Sequence, residues 1–132
     1  MEIIYRTDVT PGTDQIIEMY HSSGIIRPTA DKERISKMFN NSNLIVTAWD
    51  KDILVGISRS LTDFCYCCYL SDLAVRKDYQ KRGIGEKLIA ITKNEIGEQT
   101  ALILLSAPNA TDYYPKVGFQ KSDNAFIIKR TK

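Results

Sequence analysis

The segment Gln80-Lys81-Arg82-Gly83-Ile84-Gly85-Glu86 joins two glycines and two cations to the start of an amphipathic run, a combination suited to holding phosphate. It follows the apolar stretch Leu73-Ala74-Val75 and leads into Lys87-Leu88-Ile89-Ala90-Ile91. Strand, turn and helix in that order bring a helix N-terminus against the end of a strand. The N–H groups of the first turn have no intrahelical partner, and the helix dipole adds partial positive charge there. Phosphate binds such a terminus through the main chain. Gly83 and Gly85 lack a Cβ, so a diphosphate can approach the backbone closely. Lys77, Lys81 and Arg82 stand where charge-assisted contacts would add to it, although each is equally well a solvated surface charge. The plain alternative is a surface loop that happens to hold two glycines. The strand before it and the cations beside it weigh against that.

The elements that must position this segment are legible from periodicity. Glu2 to Arg6 alternates as a first strand, and Pro11-Gly12 turns into a helix capped by Thr13 or Asp14 and running through Ile16, Ile17, Met19 and Tyr20. A second helix spans Asp31 to Asn40, capped by Thr29 or Asp31, with Ile35, Met38 and Phe39 on one face. Leu44 to Trp49 and Ile53 to Leu61 flank the turn Asp50-Lys51-Asp52 as a hairpin, and Cys65 to Val75 adds a third strand. A helix from Gly83 to about Ile96 follows, and the apolar run Ala101 to Leu105 reads as a strand covered on both faces. A short helix from Asn109 or Thr111 to about Val117 comes next. Phe119-Gln120 and Ala125 to Arg130 supply the last strand. The order implies an α+β (mixed α/β) fold, a mixed central sheet flanked by helices on both faces. The helix from Gly83 crosses between two parallel strands, and ligands of open sheets bind beyond the carboxyl ends of such strands.

At 132 residues, with 43% hydrophobic and 26% charged side chains, the chain is expected to be one domain over residues 1–132. A net charge of +2 with no basic stripe argues against nucleic acid and acidic membrane as partners. No apolar run is long enough to span a bilayer, and Glu2 and Asp8 interrupt any signal-like start, so the cytoplasm is the expected compartment. Cys65, Cys67 and Cys68 are odd in number, have no second cluster to complete a zinc site, and lie far from the single His21. They read as strand residues, with no metal or redox role.

Gln80-Lys81-Arg82-Gly83-Ile84-Gly85 matches the Q/R-x-x-G-x-G/A signature of the GNAT superfamily of acetyl-coenzyme A-dependent N-acetyltransferases, and the chain resembles its small stand-alone prokaryotic members. Ala110-Thr111-Asp112-Tyr113-Tyr114-Pro115-Lys116-Val117-Gly118-Phe119 is similar to the family's second hallmark, A-x-x-F-Y-x-K-x-G-F. The resemblance covers all 132 residues in element order. It implies a GNAT-like fold with acetyl-CoA as co-substrate. Leu73, Ala74 and Val75 would lie along the acetyl and pantetheine arm. Gln80, Lys81, Arg82, Gly83, Ile84, Gly85 and Glu86 would hold the diphosphate. Tyr114 would stand near the coenzyme sulfur as general acid. Where many members carry an asparagine, three residues before the alanine of the second hallmark, this chain has Ala107; Asn109 is the nearby candidate for contacting the coenzyme.

Acetyl transfer to an amine needs a neutral nucleophile, a polarised carbonyl and a thiolate that can leave. An alkyl ammonium with a pKa near ~10.4 is neutral in only about one molecule in two thousand at pH 7, so a general base helps. Asp72 alternates with Leu73 and projects to the opposite sheet face, which makes it the candidate base unless Arg59 or backbone amides satisfy it. Asp63 is a weaker candidate, being a turn carboxylate. The Tyr114 phenol, uncharged at neutral pH with a pKa near ~10, suits proton donation to a thiolate of pKa ~8.5. The Val75 N–H could polarise the carbonyl. No histidine partners the cysteines, so direct attack in a ternary complex is expected over a cysteine relay.

The reading is thus an N-acetyltransferase acting on a primary amine, expected to be a small molecule. Ile25, Ile26, Arg27, Trp49, Arg59, Phe64 and Tyr66 are available to its acceptor site, and a homodimer is compatible with the chain. The alternatives are a protein N-terminal or lysine acetyltransferase, and a non-catalytic acyl-CoA-binding module.

Overall fold

The structure, a computed structural model, describes residues 2–132. Strands β1 (Ile4–Arg6), β2 (Leu44–Asp50), β3 (Ile53–Thr62), β4 (Cys67–Val75) and β5 (Ala101–Ile103) form one sheet in that spatial order. The first three pairings are antiparallel, and β4 with β5 is parallel. Helices α1 (Thr13–Ser23) and α2 (Lys32–Asn40) cover one face, where Ile16, Met19, Tyr20, Ile35 and Phe39 pack with Ile45, Ile57 and Ala74. Helix α3 (Ile84–Ile96) covers the other, where Ile84, Leu88 and Ile96 pack with Val46, Val55 and Cys68. The expected α+β architecture, a mixed sheet with helices on both faces, is the one observed. β2 and β3 are buried on both faces, and their apolar residues accordingly run together instead of alternating. Gly56 in β3 lets α3 sit close: a Cβ there would lie 3.0 Å from Leu88 and 3.2 Å from Ile84.

Two irregularities in β4 shape the centre of the molecule. The register with β3 moves from Arg59↔Asp72 to Ser60↔Leu70, leaving Ser71 as a bulge. The bulge exchanges the two faces: Cys68 packs with the α3 cluster, whereas Ala74, of the same parity, packs with α1 and α2. Pairing with β5 covers only Cys67 to Tyr69, so β4 runs on to Val75 with no strand on that side among the described residues.

Several boundaries differ from the sequence expectation. α1 is capped by Gly12 without a side-chain bond, not by Thr13 or Asp14, whereas Asp31 caps α2 by accepting from the Arg34 N–H at 3.0 Å. β4 begins at Cys67 because Asp63 Oδ1 accepts N–H bonds from Cys65, Tyr66 and Cys67 and closes a tight turn. Cys65 is therefore a turn residue, while Cys67 and Cys68 lie in the strand as expected. The expected last strand does not form: residues 119–132 join no strand of the sheet, and Phe126 and Ile128 are 97% and 99% exposed. Apolar, β-branched composition favours a strand only where an edge is available, and β5 offers three residues instead of the five expected.

Candidate active site

α3 begins at Gly83, which takes φ 82° as its N-cap and brings no side-chain cap. The first helical bond runs from Lys87 N–H to the Gly83 carbonyl at 3.0 Å, so the amides of Ile84, Gly85 and Glu86 form the free first turn. Lys81 is also left-handed, at φ 64°, which coils the preceding loop around this end. A Cβ on Gly83 would meet nothing within 4 Å, so the approach is open there. At Gly85 the nearest atom is the Tyr113 hydroxyl, 3.2 Å from the Cβ position. The residues expected to hold a diphosphate are brought together, with one reassignment. Gln80 spends its carboxamide nitrogen on the Val75 carbonyl at 2.9 Å and the Ser23 carbonyl at 3.2 Å, tying the end of β4 to α1. Arg82 stacks on Tyr79, whose hydroxyl donates to Asp50 at 2.6 Å.

The neighbouring end of β4 presents main-chain groups. Arg76 N–H donates to the Val55 carbonyl, so hydrogen-bonded pairing alternates back along the strand through Ala74 and Asp72. Leu73 and Val75 therefore direct their N–H and C=O groups away from β3, into the gap where β5 has ended. The Val75 carbonyl accepts Gln80, which leaves the Val75 N–H and both groups of Leu73 facing the gap. Ala74 is different. Its main chain faces β3 and its side chain is buried against α1 and α2, so it lies outside the gap it was expected to line.

Asp72 lies on the α1/α2 face, opposite Leu73 and Val75, as its alternation implies. Its side chain is 0% exposed. It accepts from Arg59 Nε at 2.7 Å, Arg27 Nε at 2.7 Å and the Tyr20 hydroxyl at 2.8 Å, with further bonds from Arg59 and Ser71. Burial raises its pKa, but the Arg59 hydrogen bond, then the Arg59 and Arg27 charges and the Tyr20 bond, outweigh it and leave the pKa below the ordinary carboxylate value. A carboxylate so occupied and so weakly basic is placed to hold β4, α1 and the α1–α2 loop together, not to take a proton from an acceptor. The Arg59 partnership was the alternative visible in sequence. Tyr20 and the Ser71 bulge were not, since nothing in the local pattern ties α1 to β4.

Helix α4 (Tyr113–Lys116) holds Tyr114 edge-on to Tyr113 and Phe119, with ring centroids 5.2 and 5.5 Å apart. Burial raises the Tyr114 pKa, and the Arg27 charge partly offsets this, so the phenol stays protonated at neutral pH. Its hydroxyl has no hydrogen-bond partner among the described residues. Asn109 sits exposed in the turn Pro108–Ala110. Asp63 is consumed by its turn. Of the acceptor candidates, Arg27 and Arg59 meet at Asp72, while Trp49 bonds Thr47 and lines a separate shallow cavity of about 310 Å³ with Ile4, Arg6 and Asp52. Phe64 and Tyr66 are exposed at the β3–β4 turn. No group of His, Cys, Asp and Glu among the described residues is arranged to hold a metal.

Residues 13–129 match the family model described as an acetyltransferase (GNAT) domain. Among curated proteins, an uncharacterized N-acetyltransferase ycf52 of Pyropia yezoensis is 25% identical over 113 residues, covering 81% of this chain and 64% of that protein. A ycf52 of Gracilaria tenuistipitata var. liui is 24% identical over 74% of this chain and 56% of its own length, so the chain spans about 56–64% of these relatives. In fold, the chain is similar to SA2161 of meticillin-resistant Staphylococcus aureus, a protein of unknown function described as a probable acetyltransferase. Their TM-score is 0.82 and identity 24%, over 98% of this chain and 100% of that one. A soil-metagenome aminoglycoside acetyltransferase, solved with sisomicin, aligns with TM-score 0.69 and 21% identity over 99% and 95% of the two chains. The free first turn of α3, the gap beside β4 and a family match over nearly the whole chain agree: the protein belongs to the GNAT acetyltransferase family.

Proposed function

We propose that the protein transfers the acetyl group of acetyl-CoA to a primary amine of a small molecule by direct attack in a ternary complex. The observation that carries this reading is the meeting of an uncapped α3 N-terminus with the unpaired end of β4. One supplies amides for a diphosphate, and the other supplies amides for an extended chain ending in a carbonyl. The space above Gly83 fits close approach by such a group. The coenzyme supplies an acetyl group activated as a thioester. In this reading the amides of Ile84, Gly85 and Glu86 bind its diphosphate, and Lys81 and Arg82 lie alongside. The Val75 N–H polarises the acetyl carbonyl, and Tyr114 donates a proton to the departing sulfur. Asp72 positions β4 for this task, and the amine loses its proton to solvent in the cleft. Cys65, Cys67 and Cys68 take no part.

The test is coenzyme thiol release over a panel of amines, polyamines, aminoglycosides and peptides, with coenzyme affinity measured by calorimetry. Turnover of small amines is the expected result. Turnover restricted to peptides would favour a protein acetyltransferase, and tight coenzyme binding with silence throughout would favour a binding module. Gly83→Val should weaken coenzyme binding by at least about tenfold, since a branched residue is strained at positive φ and blocks the approach. Unchanged affinity would overturn the cradle.

A further inference from the structure

Two guanidinium groups, Arg27 and Arg59, face the single carboxylate of Asp72, and the fourth member of the cluster, Tyr20, is a neutral phenol held protonated by its burial and by Asp72. The cluster therefore carries one surplus positive charge inside the protein. The two arginines differ in how they are used. Arg59 is buried and donates to Asp72, Ser42 and Ser71. Arg27, in the α1–α2 loop, keeps 29% of its side chain exposed. It donates Nε–H to Asp72 at 2.7 Å, one terminal N–H to the Ile26 carbonyl at 2.6 Å and another to the Ser71 carbonyl at 2.8 Å. Of a guanidinium's five N–H groups, two remain, one on each terminal nitrogen. Those three bonds fix the plane of the group, so the donors left to an incoming anion are held in place before it arrives.

Position decides what such an anion would belong to. The cluster lies on the α1/α2 face, at the residue preceding Leu73, whose main chain opens into the gap beside β4. The α3 N-terminus lies on the opposite face, so the coenzyme's phosphates and this charge occupy different sides of the sheet. The Arg27 charge also acts on the Tyr114 phenol. We propose that Arg27 is the anion-recognition residue of the acceptor site, and that the acceptor is a primary amine bearing a carboxylate or phosphate group. The inference rests on the acetyltransferase reading for the word acceptor; the anion site itself stands on geometry.

Two measurements test it. Acetate and methyl phosphate are titrated separately into the whole protein while the Arg27 Nε–H resonance is followed by NMR, with exposed Arg6 as control. A saturable shift at Arg27 exceeding that at Arg6 is expected, and the stronger of the two titrations identifies carboxylate or phosphate. Equal movement of both arginines overturns the site. Thiol release is then compared for an ω-amino carboxylate, an aminoalkyl phosphate and the uncharged amino alcohol of equal length. The anionic acceptors should lead, and Arg27→Gln should reduce that preference by about 10- to 100-fold, the worth of a hydrogen bond to a charged group. Arg27→Lys, which keeps the charge, should retain part of it and serves if the glutamine variant does not fold. Preference for the uncharged amine in the wild type overturns the assignment. Failure of every amine with the Arg27 shift intact overturns the transferase reading instead.

Discussion

The Tyr113 hydroxyl stands 3.2 Å from where a Cβ on Gly85 would be, so the short helix α4 comes up against the first turn of α3. The family resemblance makes Tyr114 the residue of interest. In the structure it is the Tyr113 hydroxyl that lies nearest the Cβ position of Gly85, in the first turn of α3.

Gly85→Ala should displace that hydroxyl while leaving the fold intact, because alanine is the better helix former by up to about 1 kcal/mol. We expect an unchanged or raised melting temperature with coenzyme affinity reduced several-fold. Adding Tyr113→Phe removes the clashing oxygen, so the two substitutions should be non-additive in calorimetric binding by at least ~0.5 kcal/mol. Strict additivity would mean the contact is not felt.

Tyr114→Phe removes the proton donor proposed for the leaving sulfur. Single-turnover rates should fall by about 10²- to 10⁴-fold. Since burial raises the phenol's pKa, it remains protonated through neutral pH, and loss of this donor should appear only on the alkaline side, above its ordinary value near ~10. Wild-type rates in the phenylalanine variant would exclude the role.

Asp72→Asn leaves two arginines without their carboxylate. Breaking a buried pair in this way costs about 3–5 kcal/mol, so chemical denaturation should show a loss of that size. The pH dependence has a definite sign. The folded pKa of Asp72 lies below its unfolded value, so its stabilisation is present above about pH 4 and is lost as pH falls through the folded pKa. The gap between wild type and variant should therefore narrow only in acid. A gap that narrows at neutral pH would contradict the ion-pair assignment.

Asp63 offers a second acid titration. Three backbone N–H bonds, from Cys65, Tyr66 and Cys67 in order of effect, pull its pKa down to about 2. Its contribution to the β3–β4 turn is complete above about pH 4 and fades toward pH 2. A carboxyl-carbon NMR titration with a midpoint near the ordinary ~3.9 would show that the turn is not formed in solution.

Gly56→Ala tests how closely α3 seats on the sheet. The added methyl would press on Leu88 and Ile84 from 3.0 and 3.2 Å, and overpacking of this kind costs about 1–3 kcal/mol. Thermal denaturation without a shift would show that the helix has room to move.

Local sequence determined what local physics controls. The apolar periods located α1, α2, β2, β3 and α3, and Gly83 beside Gly85 marked a helix start that accepts φ 82° and close approach. The alternation of Asp72 against Leu73 and Val75 placed them on opposite faces correctly, because side-chain period is a property of the strand itself. The rest depended on partners remote in the chain. Asp72 ceased to be a free carboxylate because Tyr20 lies 52 positions away and Arg27 45, a juxtaposition made by packing α1 and its loop onto β4. Ala74 turned away from the gap because the Ser71 bulge and the pairing with β3 fixed where each peptide group points. The strand expected at residues 125–130 had the composition for pairing, but the edge strand β5 is only three residues long and the segment stays unpaired with any strand. Propensity and spacing are written in neighbouring residues, whereas hydrogen-bond saturation, surplus charge and strand pairing are decided only when distant segments meet.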